Sequence, residues 1–86
     1  MDLVFSDFAK SELENLSQDL KALFLKHLEK MLRTSPRKHM NHGVPGHVEK
    51  VTKQARIIFD IKGDMIYVLH CLGGHKEYER WYKSYK

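Results

Sequence analysis

The spacing of the apolar residues changes once along this chain, and that change constrains the fold more than any other feature. Leu13, Leu16, Leu20, Leu23, Phe24, Leu28, Met31 and Leu32 recur in steps of three and four, the spacing of a helix with one buried face. Lys21, Lys26, Glu29 and Lys30 fall on the opposite face. The pattern predicts a short helix over about residues 8–15, capped by Ser6 or Asp7, and a longer one over about 18–33 with Ser17 as its cap. Leu3, Val4 and Phe5 ahead of them form a short strand. Ser35-Pro36 ends the long helix, because proline cannot continue its hydrogen bonding. A polar loop from Arg37 to Gly46 follows, with Gly43, Pro45 and Gly46 as turn residues. Beyond it come three strand-like runs, about 47–52, 55–61 and 65–72, the last two joined by a Lys62-Gly63-Asp64 hairpin turn. Gly73-Gly74 closes the third run, and an aromatic tail over 75–85 reads as helical. The expectation is an α+β domain: an N-terminal strand, a two-helix hairpin on one face of a four-stranded, mainly antiparallel sheet, and a short C-terminal helix. At 86 residues there is room for one core, so residues 1–86 read as one domain. The helical stripe is therefore read as core rather than as a partner-binding surface.

Charge is unevenly distributed. Residues 1–32 carry a net charge of −2, whereas residues 33–86 carry +6 and five of the six histidines. A basic, histidine-rich half suits a ligand with a phosphate backbone, against the plainer reading of a solvated basic surface. No apolar run has the length of a membrane span. The Met1-Asp2-Leu3-Val4-Phe5 start is acidic where a secretory signal is basic. The lone Cys71 excludes an intramolecular disulfide. Together these features lead to an expected cytoplasmic location with no membrane partner.

Strand alternation places Arg56, Ile58 and Asp60 on one face and Ala55, Ile57, Phe59 and Ile61 on the other. The wholly apolar set should meet the helices, so Arg56 should point to a free face. In the preceding strand either His47, Glu49 and Val51 or Val48, Lys50 and Thr52 can share that face, because the turn at 53–54 leaves the register open by one residue. His75 and Lys76 sit at the end of the last strand, and His39 and His42 lie in the loop entering the sheet. A face bearing Arg, Lys and His is suited to cleaving RNA without a metal or cofactor. Histidine can move protons near neutrality, arginine can neutralise the phosphate, and Tyr78, Trp81 or Tyr82 can stack on bases. Each residue also has a structural reading: Arg56 as a surface or salt-bridge residue, the histidines as solvated groups, the aromatics as packing. Zinc binding by His39, His42, His47, His70, Cys71 and His75 is the weaker alternative, because no CxxC accompanies the loop pair. A Cys-His or Ser-His-Asp hydrolase lacks both a thiolate-favouring context and a nucleophile elbow.

The order of three short motifs resembles the RelE/ParE superfamily of type II toxins. They are Gly43-Val-Pro-Gly46, Arg56-Ile-Ile-Phe-Asp-Ile61 with its Lys-Gly-Asp turn, and Gly73-Gly-His-Lys-Glu-Tyr78. With the strand–helix–helix opening, the resemblance covers nearly the whole chain. Within the superfamily the histidines look most like the YafQ branch, with His47-Val48-Glu49 and His75 in the places of active-site features and His39 or His42 as a third histidine. Arg56 matches the strand arginine of RelE and YoeB. The resemblance implies a RelE-like fold and a ribosome-dependent endoribonuclease that cuts mRNA to a 2′,3′-cyclic phosphate and a 5′-hydroxyl. It assigns His47, Arg56 and His75 to catalysis, and His39, His42, Lys50, Lys53, Lys76, Tyr78 and Trp81 to RNA binding. The implied partners are a cognate antitoxin, the ribosome and mRNA, with a toxin–antitoxin hetero-oligomer on its operator. Two departures stand out. RelE has paired lysines where this chain has His47 and Glu49, and the YafQ-like aromatic four residues after the last histidine would fall on Glu79. The competing readings are a ParE-like gyrase inhibitor, whose members tend to lack the histidines, and a non-catalytic RNA- or ribosome-binding module.

Overall fold

The structure, a computed structural model, describes residues 2–33 and 47–84. The elements run β1 (Asp2–Phe5), α1 (Asp7–Glu14), α2 (Gln18–Arg33), β2 (His47–Lys50), β3 (Arg56–Lys62), β4 (Met65–Leu72) and α3 (His75–Lys83). Both expected caps form. The Ser6 hydroxyl accepts from the Ala9 N–H at 3.0 Å, and that of Ser17 from Leu20 N–H at 3.3 Å. Gly63 has φ of +58°, the left-handed conformation that the β3–β4 turn requires.

The sheet order is β1-β4-β3-β2. β1 runs parallel to β4, and β3 pairs antiparallel with both β4 and β2. The apolar side of β3 meets the helices as its alternation requires. Ala55, Ile57 and Phe59, with Ile66, Val68 and Cys71 of β4, form one core with Ala9 of α1 and Phe24, Leu28 and Met31 of α2. Burying each large side chain contributes roughly 1.5–3 kcal/mol. The connection between α1 and α2 crowds Gly73, where a Cβ would lie 2.6 Å from Leu16 Cδ2.

A β-bulge in β4 separates the pairs Ile58↔His70 and Phe59↔Val68, leaving Leu69 as the extra residue. Ser6 fixes it from outside, its hydroxyl donating to the Leu69 carbonyl at 2.7 Å. Past the end of β1 the edge of β4 is taken over by α1. The Glu12 carboxylate accepts the Cys71 N–H at 2.9 Å and meets His70 Nδ1 at 3.1 Å. The bulge keeps the apolar residues on one side through the whole strand, so Ile66, Val68 and Cys71 all stay in the core despite the extra residue.

The face opposite the helix pair is not left wholly free, contrary to the sequence expectation. Ile58 lies there and is completely buried. On either side of it, α3 reaches the sheet: Tyr78 beside Arg56 and Trp81 beside His70. The aromatic tail therefore closes one corner of the sheet.

Candidate functional site

Pairing with β3 settles which residues of β2 share the face of Arg56. Lys50 pairs with Arg56 and Val48 with Ile58, so these point to the open side. His47 pairs with Phe59, and the two rings stack at 5.3 Å on the helix side. Glu49 faces the same way and bonds His27 of α2 at 2.9 Å. The structure therefore does not bring His47 to Arg56. The register is held by the β2–β3 turn. Thr52 Oγ1 accepts from the N–H groups of Gln54 and Ala55, and the Ala55 carbonyl accepts from Val51 N–H.

Arg56 helps to tie this turn. Its Nη1 donates to the carbonyls of Thr52, Lys53 and Ala55 at 3.0–3.1 Å. Its guanidinium carbon lies 5.3 Å from the centre of the Tyr78 ring, within the range of a cation–π contact. Among the described residues no acceptor is bound to Nε or Nη2, so part of the fork is available to an anion while the rest is locked. Lys50 adds a second charge on the adjacent strand, and Lys53 is exposed in the turn whose carbonyl Arg56 holds.

His75 begins α3 and is 60% exposed, with Nε2 at 2.9 Å from Glu79 Oε1. On a helix it shares a flank with Tyr78 and Tyr82, three and seven positions on. Tyr78 and Tyr82 are 6.1 Å apart between ring centres. Arg56 thus meets Tyr78, with Lys50 on the adjacent strand and Tyr82 and His75 on the same flank of α3 as Tyr78. Trp81 lies one step deeper, 6.4 Å from Tyr78 and 6.0 Å from His70. Lys76 is exposed on the flank away from Tyr78 and Trp81, outside the cluster. His39 and His42 lie outside the described residues.

Sequence reasoning named Tyr82 as one of three rings able to stack on bases, but gave Glu79 no part in the site. The i, i+4 and i+7 spacing from His75 is the signal that places both beside it. Cys71 is buried, and desolvation, with the Glu12 charge second, pushes its thiol up from 9.0 to about 12. That is the environment of an inert thiol rather than a nucleophile. Among the described residues no three His, Cys, Asp or Glu side chains gather as a metal ion would require. The groove between α1 and α3, lined by Glu12, His70, Leu72, Glu77, Arg80 and Trp81, has two carboxylates in its wall and is less suited to phosphate than the Arg56 corner. No helix among the described residues is long and apolar enough to cross a membrane.

No family model matches the sequence, and neither does any curated protein. Solved structures do match. A YoeB/ParE toxin from Agrobacterium tumefaciens superposes with a TM-score of 0.69 at 14% identity, over 85% of this chain and 98% of that one. A structure described as a YoeB dimer from Staphylococcus aureus gives 0.70 at 11% identity, over 84% and 94%. The fold is that of the YoeB and ParE toxins.

Proposed function

We propose that the chain is the toxin of a type II toxin–antitoxin pair, and that it acts as a metal-independent endoribonuclease on ribosome-bound mRNA in the cytoplasm. The observation that carries this reading is the Arg56–Tyr78 corner, which joins a partly committed guanidinium to an aromatic flank bearing an exposed histidine. The YoeB/ParE-type fold supports it. Arg56 and Lys50 hold the scissile phosphate and neutralise the charge that grows on it. Tyr78 and Tyr82 stack against bases turned out of the message. His75, with Glu79 on its Nε2, exchanges protons with the reacting oxygens. The 2′-oxygen gives up its proton as it bonds to phosphorus, the bond from phosphorus to the 5′-oxygen breaks, and that oxygen takes up a proton. The products are a 2′,3′-cyclic phosphate and a 5′-hydroxyl. His47, packed on Phe59 behind the sheet, has a supporting role in this scheme instead of the catalytic one implied by its motif. An antitoxin neutralises the protein by covering the Arg56 corner.

Induced expression in bacteria tests this reading. His75→Ala alters an exposed side chain and should relieve growth arrest with the fold intact by circular dichroism. Arg56→Lys keeps the charge but not the fork, and should relieve it in part. Full toxicity in both would place the site elsewhere. The ParE label in the Agrobacterium neighbour's description favours one competing reading, gyrase inhibition. An SOS response and altered supercoiling, with messages left whole, would select it.

A further inference from the structure

On the helix side of the sheet, opposite the face that carries Arg56, α2 and β2 build a second cluster. Glu49 is the hub. Its side chain is only 12% exposed, and Oε2 meets His27 Nδ1 at 2.9 Å and Lys30 Nζ at 3.3 Å. In front of His27 is a hollow of about 180 Å³ lined by Lys26, His27, Lys30 and Arg33. Among the described residues, every side chain that lines it is a nitrogen base. Glu49 lies behind His27 and Lys30, and Glu29 meets Arg33 only at 4.0 Å on the exposed helix surface. Among the described residues the hollow therefore presents the cations of Lys26, Lys30 and Arg33, the second paired with Glu49 and the third near Glu29, and a histidine whose Nδ1 meets a carboxylate, with Nε2 directed away from that contact.

A divalent cation would be repelled here, whereas an anion would meet donors from several directions. From Lys26 to Arg33 the ridge spans about 10 Å at the helical rise. That length exceeds the reach of one phosphate group and suits successive phosphates of one strand. We propose that this hollow binds the backbone of a nucleic-acid strand, with Lys26, Lys30 and Arg33 contacting phosphates and Glu49 orienting His27 toward them. The site goes beyond the nuclease reading, because it lies on the opposite side of the sheet from Arg56 and requires no cleavage.

Anisotropy of a labelled single-stranded RNA, titrated with the full chain over a series of NaCl concentrations, tests it. Each phosphate contact contributes about 0.7 to the slope of log affinity against log salt for single strands. Lys26→Gln with Arg33→Gln should lower that slope by about 1 to 2. Lys10→Gln with Lys62→Gln removes the same charge from elsewhere and should leave it unchanged. An equal fall in both pairs would mean generic attraction and overturn the proposal, as would no fall in the first. NMR of the His27 ring separates the phosphate sources. Signals that move with RNA and hardly with inorganic phosphate support a strand site; equal movement with inorganic phosphate overturns it. Arg56→Ala should keep the wild-type dependence on Lys26 and Arg33, so failure of the nuclease reading leaves this result standing.

Discussion

Desolvation, and then the Glu12 charge, raise the Cys71 thiol from 9.0 to about 12, so the folded chain holds this proton more tightly than the unfolded chain. Its contribution to stability is fully present below about pH 9 and is lost as pH rises from there toward 12. In urea unfolding over that range, wild type should lose up to about 1.4 kcal/mol per pH unit more than Cys71→Ala. Parallel profiles would show that the thiol is not buried. Glu12 supplies a second test, because among the described residues its carboxylate accepts the Cys71 N–H beyond the end of β1. Glu12→Ala should cost about 1–3 kcal/mol, and Glu12→Gln, which keeps an acceptor, should cost less. At this scale alternation made the direction of Arg56 legible, since an unbroken apolar set can face only the helices. The side taken by His47 was not legible. It depends on a one-residue choice in the turn after β2, and Thr52 and Ala55 make that choice through hydrogen bonds that spacing does not reveal. Glu49 and His27, 22 positions apart, likewise gave no local sign of meeting.

All seven elements lie within a few residues of where apolar periodicity and turn residues put them, and helix caps explain the sharpest boundaries. What periodicity could not convey was the docking of α3. The tail reads as an aromatic helix from its own residues, but its seat is made by Arg56 under Tyr78 and His70 beside Trp81, on either side of the buried Ile58. This makes a prediction at the level of the element. Ile58→Ala should destabilise the protein by about 2–5 kcal/mol, as for a core residue. A cost below about 1 kcal/mol in chemical denaturation would mean that α3 does not cover the sheet. The β4 bulge was hidden for a similar reason: the apolar run looks continuous, and only Ser6, 63 positions away, marks Leu69 as the extra residue.

At the scale of the molecule, the basic hollow on α2 draws its described residues from both the acidic and the basic part of the sequence. The acidic first third contributes Lys26 and Lys30 to the basic hollow on α2, and the basic remainder contributes Glu49 behind them. The Arg56 corner and the α2 hollow thus form two basic regions on opposite sides of one sheet, each with a histidine held by a carboxylate. The central claim is that the Arg56 corner cuts translated messages. It is tested most directly by inducing the chain in bacteria and mapping mRNA 5′ ends by primer extension. The account predicts new ends at a fixed position within codons of translated messages, lost in His75→Ala. Growth arrest with intact messages, or cuts that persist in His75→Ala, would contradict it.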